Sequence, residues 1–266
     1  VSLALTFGPL VLGLIAQAPP SEKDNPDIQK ARLEFMKASL VKINVHPVDD
    51  SKAAFRLLPD PVLRFTNSVG DVKDGAIFLW LGPDDRPAAA VQVFLHRNQG
   101  WFQEFSTLST TRVAADGVWG PTREAIVFKP VPDAPKPAET PEQRLRQMRA
   151  LIEGFSGEQD MHKNEQTSWD PLRFLTKPLA RYGKPGTDVL DGALFALVLT
   201  TDPEVYLMLE VRPGKDGPEW QYAFAAESTA ALRCSLKGRR VWELPLRQAW
   251  LDRLAPYYIH YFNREP

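Results

Sequence analysis

The chain has 266 residues, enough for one large domain or two small ones with a real hydrophobic core. Its 32 basic and 33 acidic residues leave a formal net charge of -1 with no long run of one sign, which excludes a broad surface for nucleic acid or an anionic membrane. A single cysteine, Cys234, excludes an intramolecular disulfide and a Cys-rich zinc site.

Residues 3–15 are apolar and uncharged, and Ala16-Gln17-Ala18 then Pro19-Pro20 follow. Small residues at the first and third positions of Ala-x-Ala are what a signal peptidase accepts. Residues 1–18 therefore read as a signal peptide or N-terminal anchor, and the protein as exported, periplasmic or secreted. The stretch is short for a transmembrane helix, and no other segment is long and apolar enough for one.

Asn25-Pro26-Asp27 opens a first helix, with Ile28, Ala31, Phe35 and Ala38 at helical spacing. The segment that follows carries the most informative pattern. Residues 56–78 align without a gap to residues 173–195, with ten identities in 23 positions where about one or two are expected by chance. Arg56/Arg173, Arg64/Arg181, Asp74/Asp191, Gly75/Gly192 and Phe78/Phe195 are among them, all at an offset of 117. The match continues more loosely through Trp101/Trp220 and Trp119/Trp242.

The predicted fold class is α+β with an internal duplication. Each half is a helix followed by a four- or five-stranded antiparallel meander, and the halves are related by a pseudo-two-fold. Strands are predicted at 76–81, 88–96, 101–108 and 125–129, then at 193–200, 205–212, 220–228, 230–236 and 240–244. Turn residues such as Gly82-Pro83-Asp84-Asp85 and Lys237-Gly238 separate them. The repeats span 24–129 and 141–245. Residues 130–140 form a Pro-rich, polyproline-like linker between them. The second helix has Thr140 as N-cap, Pro141 at its first position, and Leu145, Met148 and Ile152 on one stripe. The first strand of each meander is apolar on both faces, so it is expected to be covered twice, once by its helix and once by the other half. Residues 246–266, with Trp250, Tyr257, Tyr258, Tyr261 and Phe262, are predicted as a C-terminal aromatic helix broken near Pro256.

Arg64, Asp74, Arg181 and Asp191 are the candidate binding residues. As anion sites they would use the guanidinium fork that suits carboxylate or sulfate. As structural ion pairs they would tie the approach segment to the strand, and their duplication favours this second reading. Cys234 sits in an apolar run without a nearby base, which reads as core. His46, His96, His162 and His260 lack metal-ligand spacing, and the Asp71/Asp74 and Asp188/Asp191 pairs lack the ligand number calcium needs. His96 and Glu104 lie on neighbouring predicted strands and form a weak acid–base candidate. Neither a nucleophile elbow nor a phosphate-binding glycine loop is present, so no catalytic residue, metal or cofactor is predicted. Strand tryptophans such as Trp80 and Trp220 read as core or as a stacking row for ring ligands.

The segments Arg144-Leu145-Arg146-Gln147-Met148-Arg149-Ala150-Leu151, Leu172-Arg173-Phe174-Leu175-Thr176-Lys177-Pro178-Leu179-Ala180-Arg181-Tyr182 and Leu190-Asp191-Gly192-Ala193-Leu194-Phe195, with Thr201-Asp202-Pro203-Glu204, carry a further signal. They resemble a family of exported proteins typical of planctomycete bacteria to which no chemistry is assigned. The resemblance implies export and a bacterial source, and implies nothing about activity.

The leading expectation is an exported non-enzymatic binding or scaffolding module with a small-molecule or envelope-protein partner and no nucleic-acid partner. A hydrolase with a site in the cleft between the halves is the rival, and a structural component of an envelope assembly is the third. Cleft-lining acids or histidines without a counterpart in the other half would favour the enzyme.

Overall fold

The computed structural model describes residues 25–161 and 167–262. The predicted signal segment, 1–18, and His162 lie outside the described residues. Helix α1 spans Pro26–Leu40 and is followed by β1 (Val45–Pro47), β2 (Arg56–Leu57), β3 (Leu63–Asn67), β4 (Val72–Leu81), β5 (Pro87–His96), β6 (Gly100–Thr107), β7 (Val113–Ala115) and β8 (Lys129–Pro130). Helix α2 (Pro141–Ile152) precedes β9 (Phe155–Asp160), β10 (Asp170–Phe174), β11 (Ala180–Tyr182), β12 (Asp191–Leu199), β13 (Asp202–Gly214) and β14 (Gly217–Ala226). The order closes with β15 (Ala231–Leu236), β16 (Arg239–Leu244), a 3-10 turn at Ala249–Leu251, and β17 (Tyr257–Phe262).

These 17 strands form three antiparallel sheets, so the protein is mostly β and not α+β; only two short helices occur among the described residues. One sheet has six strands in the order β17-β6-β5-β4-β2, with β3 also on β4. The second has nine, eight of them in the path β16-β15-β9-β10-β12-β13-β14-β8 that curls into a half-barrel, with β11 on β12. Strands β1 and β7 make a small third sheet. Sheets of six and nine strands are not matched units, which overturns the predicted pair of equal meanders related by a pseudo-two-fold.

The C-terminal helix is also overturned. Residues 257–262 form β17, which lies antiparallel to β6 with Tyr257 opposite Ser106 and Phe262 opposite Trp101. A run of Tyr, Ile and Phe after a proline suits a pleated surface better than a helix, because branched and aromatic side chains pack across strands. Residues 125–129 are not a strand of the first sheet. Only Lys129–Pro130 is extended, and it pairs with β14 of the second.

Both large sheets meet face to face. Ile77, Leu79 and Leu81 of β4 share one buried cluster with Leu194, Ala196 and Val198 of β12. The other face of β4, with Ala76, Phe78 and Trp80, is covered by Met36 and Leu40 of α1. Met148 and Ile152 of α2 cover the outer face of the second sheet in the same way, against Phe195 and Leu197. Each fully buried side chain of this size contributes about 1.5–3 kcal/mol. The helix starts follow the sequence: Asn25 Oδ1 accepts the Asp27 amide at 2.9 Å, and Thr140 Oγ1 accepts the Gln143 amide at 3.3 Å.

The offset of 117 marks one local device made twice. Arg64 forks onto Asp74 at 3.0 and 2.6 Å, and Arg181 forks onto Asp191 at 3.1 and 2.8 Å. Each arginine also donates to a backbone carbonyl at the start of its helix, Gln29 for Arg64 and Pro141 for Arg181. The neighbouring aromatic lies over the glycine: a Cβ on Gly75 would come within 2.4 Å of the Phe65 ring, and one on Gly192 within 2.6 Å of the Tyr182 ring. The Arg–Asp fork and the ring-on-glycine contact together fix strand, approach segment and helix to one another.

Candidate functional site

The four residues singled out from the sequence do not assemble into one site. Arg64–Asp74 and Arg181–Asp191 lie on different sheets, each aspartate is buried, and each arginine is closed over its own aspartate. Asp191 receives a second partner that sequence reading missed. Arg144 of α2, 5% exposed, donates to its Oδ2 at 2.8 Å and to the carbonyls of Ala138 and Glu139 at 3.0 and 2.6 Å. In each pair the guanidinium is bonded to the carboxylate and to a backbone carbonyl. Cys234 is buried on β15 of the second sheet, and burial pushes its thiol well up, which disfavours the thiolate. Trp80, Trp119 and Trp220 are core residues.

The structure assembles a different set in the space between the two sheets. A cleft of about 760 Å³ opens there. Its floor carries four carboxyls: Glu104 from β6, Asp202 and Glu204 from β13, and Glu227 just beyond β14. All four stand where the pleat brings inward-facing side chains. Along β13, Asp202 and Glu204 precede Tyr206 and Met208, which belong to the buried cluster between the sheets. Along β6, Glu104 follows Phe102, which packs against the same cluster.

The sheets are joined at this floor. Gln92 Nε2 of β5 donates to Asp202 Oδ1 at 2.9 Å, and Asn67 Nδ2 of β3 donates to Oδ2 at 3.0 Å. The Ser106 hydroxyl of β6 reaches the Glu227 carboxyl and the Ala226 carbonyl. Tyr257 of β17 lies near Glu104, and Gln159 of β9 and Ser228 lie near Glu204. The rim is aromatic, with Phe94, Phe102, Tyr261 and Trp250; Trp250 is 55% exposed.

Burial dominates the electrostatics of the four acids. It raises Glu104, Glu204 and Glu227 well above the usual carboxylate range, and their mutual repulsion adds to it. Asp202 is raised to about 6, mainly by burial, against the opposing effect of its two amide donors. Other buried acids of the protein are compensated differently. Glu210 receives Arg86 at 2.8 Å, Arg212 at 2.7 Å and the Tyr182 hydroxyl at 2.9 Å. Asp74 and Asp191 have their arginines. Among the described residues no Lys or Arg lines the acid cleft, and His96 is its only basic side chain.

None of the four acids has an acidic counterpart in the other half. The Glu227 amide bonds the Glu204 carbonyl at 2.9 Å, and the Leu108 amide bonds the Ala88 carbonyl at 2.9 Å in the equivalent place. Ala88 and Leu108 thus stand where Glu204 and Glu227 do. Glu104 faces Gln92 across the ladder, whereas in the second sheet Met208 faces Ala223. Asp202 precedes Pro203 as Arg86 precedes Pro87. The predicted His96–Glu104 pair is not formed, since register sets Glu104 opposite Gln92 and His96 opposite Gly100, although both line the cleft.

Among the described residues no three His, Cys, Asp or Glu side chains are grouped as a metal ion requires, and no helix is long and apolar enough to cross a membrane. Comparison with protein families, with curated proteins and with solved structures found no match.

Proposed function

We propose that the protein is a binding module that takes a small organic ligand into the cleft between its sheets. One observation carries this reading: four buried carboxyls without a cationic partner among the described residues face an open, aromatic-rimmed cavity, while the other buried acids named above are closed by arginine. Burying unpaired ionisable groups is costly for a fold, and their gathering in a concave site is a mark of function. An exported setting is part of the proposal, supported by the apolar segment 3–15 and Ala16-Gln17-Ala18.

The test is a melting-temperature screen against sugars, amines, amino acids and carboxylates, run on the wild type and on Thr229→Trp. Thr229 lines the cleft and is half-buried, so an indole there fills the entrance. At least one compound should raise the wild-type melting temperature and lose that effect in the variant. The reading is lost if no compound does so, or if the shift persists with the cleft filled.

A second reading, acid–base hydrolysis of the bound molecule, is supported by Asp202 and Glu204. One carboxyl pushed up to about 6 beside another raised well above the usual carboxylate range pairs a base with an acid in one place. That these acids lack counterparts in the other half also favours it. Chromogenic glycosides and esters test it: turnover by the wild type, abolished in Asp202→Asn, is the expected result.

A further inference from the structure

We infer that the ligand of this cleft is an organic cation, an amine or guanidinium carried on an apolar body. The inference rests on reading the cleft as a ligand site and goes on to name the class.

The hydrogen-bonding capacity left over in the walls is that of acceptors. Gln92 spends its amide nitrogen on Asp202 at 2.9 Å, and its Oε1 is buried with no partner. Gln159 lies near Glu204, and its Oε1 is likewise buried and, among the described residues, without a partner. Both residues are only 2% exposed, and both line the cleft. Because the Gln92 amide nitrogen is directed to a carboxyl, its amide oxygen must face away from that carboxyl. A buried acceptor left unpaired is destabilising, and an N–H donor from a ligand would satisfy it.

The charge balance points the same way. Ionisation of any of the four floor carboxyls is opposed by burial and by the others, and among the described residues no Lys or Arg lines the cleft to offset it. An anionic ligand would deepen that opposition, and a neutral one would leave it. A cation removes it, because a positive charge within a few ångströms favours the ionised carboxylate. A bare metal ion is disfavoured, since among the described residues no three of these groups converge as ligands.

The rim supplies the third element. Trp250 and Tyr261 stand exposed above the acids, with Phe102 beside Tyr261 at 5.1 Å between ring centroids. Aromatic faces attract ammonium and guanidinium groups and cover an apolar body as well. Acid floor, acceptor walls and aromatic rim are together complementary to a cation with some apolar surface.

The test compares three molecules with one body and three charges: phenethylamine, 2-phenylethanol and phenylacetate, titrated calorimetrically into the full chain. Phenethylamine should bind at least tenfold more tightly than 2-phenylethanol, and phenylacetate should bind least. Asp202→Asn and Glu204→Gln should each weaken the amine at least tenfold and leave the alcohol unchanged. Alcohol or phenylacetate binding as tightly as the amine overturns the inference, as does amine binding that is unaffected in both variants. Should a variant not fold, the wild-type series decides alone. Glucose, included as a neutral probe, separates the two levels. If it binds while the amine does not, and Thr229→Trp blocks it, the cleft is a ligand site of another class. If none of the four binds and the wider screen is also empty, both readings fall.

Discussion

Asp202 of one sheet lies against Gln92 of the other, joined by a 2.9 Å hydrogen bond across the interface between them. This contact is both the seam of the fold and the floor of the cleft. Changes to it are therefore expected to register in stability and in ligand binding together.

The first prediction concerns pH. Asp202 titrates near 6 in the folded chain, and Glu104, Glu204 and Glu227 lie well above the usual carboxylate range. In the unfolded chain all four would titrate near their ordinary values of about 4. A raised folded pKa gives stability that is complete below the unfolded value and is lost as pH rises through the folded one. The melting temperature should fall between about pH 4 and pH 8. Asp202→Asn should flatten that fall, by an amount on the order of 2–3 kcal/mol for one buried carboxyl. A melting temperature that rises over this range would show the acids to be ionised and compensated.

The second concerns the two Arg–Asp forks. Asp191→Ala leaves Arg144 buried and unpaired, whereas Asp74→Ala leaves only Arg64, which is 30% exposed and can rehydrate. The loss at Asp191 should reach about 3–5 kcal/mol, the range for orphaning a buried charge, and the loss at Asp74 should be smaller by about 2 kcal/mol. Chemical denaturation of the two variants under one condition checks the order. Equal losses would mean that Arg144 finds compensation in the Ala138 and Glu139 carbonyls alone.

The third concerns the two glycines beneath rings. Gly75→Ala and Gly192→Ala each place a methyl inside the van der Waals envelope of Phe65 or Tyr182. Overpacking of this kind costs about 1–3 kcal/mol. Combining Gly75→Ala with Phe65→Leu should recover part of the loss, because the clash and not the backbone is its cause. Denaturant midpoints of the single and double variants measure the recovery.

The fourth separates rim from floor. Trp250 is mostly exposed, so Trp250→Ala should alter folding stability by no more than about 0.5 kcal/mol. It should nevertheless weaken any ligand that raises the melting temperature through the cleft. Thermal melts with and without that ligand test both halves of the statement. Ligand affinity unchanged in Trp250→Ala would remove the rim from the site.

What the sequence disclosed depended on how far apart the cooperating residues lie. The two apolar faces of 76–81 could be read from adjacent residues, and both prove covered, Phe78 beneath α1 and Leu79 against the second sheet. Arg64 and Asp74 are ten residues apart and repeat at a fixed offset, so their pairing was legible. Arg144 was not, because its partner Asp191 lies 47 residues on, across the outer face of a sheet. The acid cleft was hidden for the same reason. Asp202 and Glu204 look like turn residues beside Pro203, and only the facing of two sheets sets them near Glu104. A trace was present all the same: Glu104 shares a face of β6 with Phe102, and Asp202 and Glu204 share a face of β13 with Tyr206 and Met208. The error at 257–262 came from extending one aromatic helix through Pro256 to the end of the chain. Five of those six residues are ones that strands favour or tolerate, and the open edge of β6 decided the matter.

That edge also bears on the order of events at the ribosome. Strands β2 to β6 of the first sheet are made before the second sheet, yet β6 has no neighbour on one side until residues 257–262 emerge. Throughout synthesis of the second sheet the nascent chain therefore carries an unpaired strand edge, a surface on which other extended chains can add. Tyr257 is placed against Glu104 only when that gap closes. The cleft is thus among the last parts of the molecule to be finished, and a chain released before residue 257 would be sticky and would also lack the ligand site.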